Sequence, residues 1–181
     1  MILLDLFQGW GILIFVLLIL VALYLLLLLL NIVFVISFGN MMRRDNKGIR
    51  VALSAKLDIL RKAQEVITAN GLKLTDKCTH SLKYLDSEDF LEAQKEEFTT
   101  STQELAEVEK EVSGILFSSR KLAKNDEVEL IKSLLKDVNE SLKTSVMAYN
   151  ADVLGYNYWV RFTPCKFIFL LFKVKLKKTI E

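Results

Sequence analysis

The side chains best suited to chemistry are few and far apart. His80 is the sole histidine, and Cys78 and Cys165 are the two cysteines. Cys78-x-His80 falls short of a zinc site, which needs four ligands in two paired spacings, so both read as ordinary helix residues. No G-x-S-x-G, Walker or H-E-x-x-H pattern occurs, and one histidine cannot supply the paired Glu-x-x-His of di-metal bundles. Only a carboxylate-based site remains conceivable, so no catalytic, cofactor or metal residue is assigned and a non-enzyme is expected. Between Asp86 and Glu111 lie ten acidic residues against Lys95 and Lys110, a run that suits a solvated face or a docking surface for a basic partner. The remaining pattern with chemical meaning is Tyr149-Asn150-x-x-Val153-x-x-Tyr156-Asn157. A seven-residue repeat puts both tyrosines on one helix face, and the neighbouring amides are expected to bond across to another helix and fix its register.

Those residues hang from two compositionally different parts. No charged residue occurs from Leu6 to Met42, and the polar interruptions are Gln8, Asn31, Ser37 and Asn40, a stretch well beyond the ~20 residues that cross a bilayer. A cleaved signal peptide fits poorly, because the start lacks a basic region and ISFGNMM lacks a small-x-small site. Only Asp5 is charged before the span, whereas Arg43, Arg44, Lys47, Arg50 and Lys56 follow it, which predicts an outside N-terminus and a cytoplasmic domain. As one helix, Leu6 to Phe38 would measure about 50 Å at ~1.5 Å per residue against a ~30 Å hydrocarbon core. The span must therefore tilt or leave the lipid before Arg43.

Beyond the anchor, apolar residues recur at steps of three and four, which predicts helices throughout and no sheet. Three stripes stand out: Leu53, Leu57, Leu60, Ala63 and Ile67; then Leu105, Val108, Val112, Ile115 and Leu122; then Ile131, Leu135, Val138, Leu142, Val146, Tyr149, Val153, Tyr156 and Val160. The expected fold is all-α, an N-terminal transmembrane helix followed by an antiparallel bundle of three or four helices. Breaks are expected at Asp45–Gly48, Asn70-Gly71, Asp86-Ser87, Lys124–Asp126 and Thr163-Pro164. The organisation reads as an anchor over residues 1–42, a bundle over 43–164 and a tail over 165–181. That tail, CKFIFLLFKVKLKK from Cys165 to Lys178, is too short to span; it suits either an interfacial segment beside anionic lipid or a cap on the bundle core. A net charge of +2, with no accompanying motif, gives no argument for nucleic acid as a partner, and none is expected.

The Tyr-Asn pattern is followed by Pro164 and then by Phe167-Ile168-Phe169-Leu170-Leu171-Phe172. This resembles the C-terminal signature of the LemA family of bacterial membrane-anchored proteins, YNxxVxxYN followed by Phe-Pro and a short apolar segment. Asn125 through Ile131, Leu135 and Leu142 also fit the family pattern, as do Val51, Leu53, Asp58, Ile59, Leu60, Glu65 and Ile67 in its first cytoplasmic helix. The match is divergent. Arg61-Lys62 replaces a Pro-Asn pair, Ser119-Arg120 a Tyr-Pro pair, Thr163 the Phe before the proline, Lys166 the Asn after it, and Lys173-Val174 a closing Gly-Phe. The resemblance implies helices on an anchor in a bacterial plasma membrane, and a family whose activity is not settled. The expected role is a scaffold or adaptor that holds a protein partner, or copies of itself, at the bilayer; a pore-like or holin-like protein is the alternative, weakened by a span with one deep polar residue, Asn31.

Overall fold

A computed structural model describes residues 2–86, 95–119, 121–122, 125–162, 166–171 and 173–180. Pro164 and most of the first half of the acidic run lie outside those residues. The described residues form five helices and no strand: α1, Ile2–Ala69; α2, Asp76–Tyr84; α3, Lys95–Ser118; α4, Asp126–Arg161; and α5, Lys166–Leu171. The all-helical expectation holds, and one helix is long and apolar enough to cross a membrane.

One expected break is absent. The chain stays helical through Asp45, Asn46, Lys47 and Gly48, so anchor and first bundle helix are a single element of 68 residues. Without proline the local penalty is small: an interior glycine costs only about 1 kcal/mol. Packing on both sides outweighs it, since Met42 and Ile49 are buried. At Asn70-Gly71 the helix does stop. Gly71 has φ 74°, the left-handed conformation, and its N–H bonds the Thr68 carbonyl at 3.0 Å while the Leu72 N–H reaches that of Ile67 at 3.1 Å. The described residues 85–86, 119, 121–122 and 125 lie outside helices, beside the breaks expected at Asp86 and at Lys124–Asp126, and Asn125 opens α4 by accepting from the Glu127 N–H at 2.9 Å.

The chain divides into two compact units, Arg43–Tyr149 and Met1–Met42 with Asn150–Glu181. In the first of these, Leu57, Leu60, Ala63 and Ile67 of α1 are fully buried, as are Leu105, Val112, Leu122 and Val128. The expected α3 stripe drifts at its end: Leu116, not Ile115, is buried. A helix turns 3.6 residues, so a stripe read in sevens slips around the surface. Short α2 is fixed from both sides. Arg61 donates to the carbonyls of Leu82, at 3.1 Å, and Leu85, satisfying groups that the helix end leaves open. At its start Glu111 of α3 accepts from the Thr75 N–H at 2.6 Å, the Thr75 hydroxyl at 2.7 Å and the Cys78 thiol at 2.8 Å.

Burial would raise the Glu111 carboxyl, but those donors outweigh it and hold it below its ordinary 4.5; burial first, then the bond to Glu111, pushes the Cys78 thiol up. A carboxyl depressed on folding adds stability above its unfolded value, and that contribution is lost as pH falls through the folded one. Glu111→Gln is therefore expected to cost about 1 kcal/mol at neutral pH and to lessen the loss of stability below pH ~4.5, checked by thermal unfolding from pH 7 to pH 3.

In the other unit, α5 ends in the paired bonds of a Schellman turn. The Lys173 N–H meets the Leu170 carbonyl at 3.1 Å, and that of Val174 meets Phe169 at 2.9 Å. This geometry demands a left-handed residue, and Lys173 takes it with φ 52°. For a residue with a Cβ that conformation costs roughly 1–2 kcal/mol. Lys173→Gly is expected to stabilise the turn by about 1 kcal/mol, read as roughly fivefold slower amide exchange in residues 174–180.

Candidate functional site

Two surfaces in the unit formed by residues 1–42 and 150–181 carry the functional features. The first is the bare part of α1. From Trp10 to Leu30 every side chain is exposed except half-buried Leu28, and none is buried. Below it the same helix is partly covered: Asn31 is fully buried and Val35 is 9% exposed. The Asn31 side-chain amide donates to the Trp159 carbonyl at 3.2 Å, while its oxygen has no partner among the described residues. Phe34 stacks on the Trp159 ring at 4.6 Å and 8°, and Tyr158 and Phe162 lie 5.4 and 5.5 Å from that ring. One turn along, Gly155 admits the Phe38 ring so closely that a Cβ would sit 2.6 Å from it. These contacts pair residues 31–38 of α1 with 155–159 of α4 in opposite directions.

The second surface is built on the Tyr-Asn pattern. Val153, Tyr156 and Val160 are buried, whereas Tyr149, at the start of the pattern, is half-buried; burial pushes the Tyr156 hydroxyl above its ordinary 10.0. Among the described residues the two asparagines do not bond a neighbouring helix, as the spacing had suggested. They hold the tail. The Asn157 side-chain amide donates to the Lys177 carbonyl at 2.9 Å and its oxygen accepts from the Lys177 N–H at 2.9 Å. Asn150 does the same for Ile180, with both bonds 2.8 Å.

The spacing explains why two such pairs form. Seven helical residues rise about 10.5 Å, and three extended residues cover about 10 Å, so asparagines a heptad apart meet every third residue of a strand running the other way. Only backbone is read. The side chains of Lys175, Leu176, Lys177, Lys178 and Thr179 are all exposed. Beside this clasp lies an open groove of about 830 Å³, whose lining includes Tyr158, Arg161, Lys177 and Lys178.

Of the basic flank, Arg43, Arg44 and Lys47 are exposed on α1, with Arg44 3.6 Å from Asp45, while Arg50 is half-buried. Within the acidic run Glu107 pairs with Lys77 and Glu109 with Lys56. Cys78 and His80 do not converge: Cys78 bonds Glu111, and His80 packs its ring 4.1 Å from Tyr84. The sequence signal for the clasp is the heptad spacing of Asn150 and Asn157 followed by a lysine-rich segment long enough to double back. Compared with family models, curated proteins and solved structures, the chain matches none of them.

Proposed function

We propose that this chain is a membrane-anchored, non-enzymatic helical scaffold of the LemA type, which holds a protein partner or copies of itself at the cytoplasmic face of a bacterial plasma membrane. The observation that carries the reading is the uncovered apolar surface from Trp10 to Leu30, on a helix whose continuation is packed. In water such a patch is unstable, whereas residues 12–30 rise about 28 Å, close to the ~30 Å of a hydrocarbon core. The reading sets the boundary of the lipid near Asn31, where Trp159, Tyr158 and Phe162 supply the aromatic side chains favoured at an interface. Apolar residues 32–42 then leave the lipid, which accounts for the excess length of the span.

Arg43, Arg44 and Lys47 lie within reach of the positive-inside bias and support the cytoplasmic orientation, and the basic groove around Arg161 suits anionic headgroups. The LemA resemblance gains a physical rationale from Lys173, the left-handed residue at the position where the family pattern has glycine. A pore is less well supported. Its main polar side chain in the span, Asn31, is buried against α4 rather than free to line a channel.

The test is mild crosslinking and affinity purification from native membranes. The scaffold reading expects a defined partner or a discrete oligomer that stays membrane-bound after alkaline carbonate washing. Release by carbonate would remove the anchor from the account, and a discrete oligomer that makes liposomes leaky would replace the scaffold with a pore.

A further inference from the structure

The asparagine clasp is a binding site for extended backbone, occupied by the chain's own tail. We infer that the same site accepts the tail of a second copy, so that residues 174–180 are exchanged between neighbouring molecules. This deepens the scaffold reading above, because it names the partner and the contact.

The clasp reads backbone alone. All four bonds go to the N–H and carbonyl groups of Lys177 and Ile180, so they form identically whichever copy supplies the strand. No side chain of the strand is needed for them, and Lys175 through Thr179 stay exposed. The hinge that precedes the strand is conformationally costly: Lys173 holds φ 52° in the closed form, a conformation it leaves when the strand swings away. Exchange of an identical element re-forms the four clasp bonds on the other copy, and release of that conformation offsets the loss of the two turn bonds from the Lys173 and Val174 N–H groups, which keeps swapping between copies cheap. Confinement of copies to one bilayer raises the effective concentration of the second tail toward that of the first.

The experiment is a complementation between two full-length variants in lipid vesicles. One carries Asn150→Ala and Asn157→Ala, which disable the clasp and leave the strand intact. The other carries Lys177→Pro and Ile180→Pro, which remove the N–H groups the clasp accepts from and leave the asparagines intact. The readout is amide exchange over residues 174–180 of the clasp variant, with exchange in residues 50–67 as the control for folding.

Alone, the clasp variant is expected to exchange at Lys177 and Ile180 at least about tenfold faster than the native chain. Mixed with the strand variant, it is expected to recover protection, because its strand finds the other copy's asparagines. Fast exchange that persists in the mixture overturns the exchange between copies while leaving the anchored scaffold intact. Native-like protection in the clasp variant alone overturns the clasp itself. Should the strand variant lose protection in residues 50–67, Lys177→Ala with Ile180→Pro replaces it. That pair keeps one read N–H, so about half the recovery is expected, and no recovery again overturns the exchange.

Discussion

Lys56→Ala is expected to cost about 2–4 kcal/mol, among the largest losses available to a single substitution outside the apolar core. Lys56 is 6% exposed and its ammonium group pairs with Glu109, which also accepts from the Asn139 side-chain amide at 2.6 Å. The three residues come from α1, α3 and α4, so one polar contact joins the three long helices within residues 43–149. Removal of the lysine leaves a carboxylate that is 22% exposed and has lost its charge partner. The cost arises mainly from that stranded charge rather than from any large net gain by the pair, because taking both ions out of water consumes most of their attraction. It follows that Lys56→Met with Glu109→Leu together should lie within about 1 kcal/mol of the native chain. Thermal unfolding followed by circular dichroism separates the cases: about 5–15 °C lost for the single change and little for the double.

Gly155→Ala should destabilise by about 1–3 kcal/mol, although on a free helix the same change gains about 1 kcal/mol. The reversal of sign is the point of the test. A Cβ on residue 155 meets three atoms of the Phe38 ring at 2.6, 2.7 and 3.0 Å, so the half-buried ring must shift to admit it. Close approach of two helices through a small residue is the usual device where apolar surfaces face lipid on their other sides. Phe38→Ala alone loses its packing on α4. In the double variant the alanine at 155 no longer clashes, so the two effects should fail to add by about 1 kcal/mol or more, measured as a double-mutant cycle in thermal unfolding.

How much of this was written plainly in the chain differs from element to element. The α1 seam of Leu53, Leu57, Leu60, Ala63 and Ile67 could be read from spacing alone, and all five are buried. So could the apolar span, because a run without charge admits few environments. Continuity through Asp45–Gly48 could not be read, since the local residues disfavour helix only weakly and the decision is made by packing on either side. The α4 stripe was legible as a stripe but not as three zones: Ile131 and Leu135 are buried, Val138 to Tyr149 half-buried, and Val153, Tyr156 and Val160 buried again. Periodicity fixes a face and is silent on what covers it.

The same silence hid the clasp. Nothing in the pattern around Asn150 and Asn157 distinguishes a neighbouring helix from a returning strand, because an amide offers its N–H donors and its acceptor oxygen equally to either. The role of Arg61 was hidden for a related reason. Its departure from the LemA pattern looked like a loss, whereas its guanidinium caps α2 at Leu82 and Leu85.

The central proposal is that α1 crosses a bilayer between about Ile12 and Leu30 and leaves it near Asn31, with the bundle on the inner side. The most direct test is a cysteine scan in inverted membrane vesicles, in a chain whose Cys78 and Cys165 are replaced by serine. Single cysteines from position 12 to position 44 are challenged with a membrane-impermeant maleimide. The account expects no labelling from 12 to 30, rising reactivity at exposed positions such as 40 and 44, and none at 10 until the vesicles are opened. Labelling throughout 12–30 in sealed vesicles would contradict the span, and labelling at 10 but not at 44 would reverse its orientation.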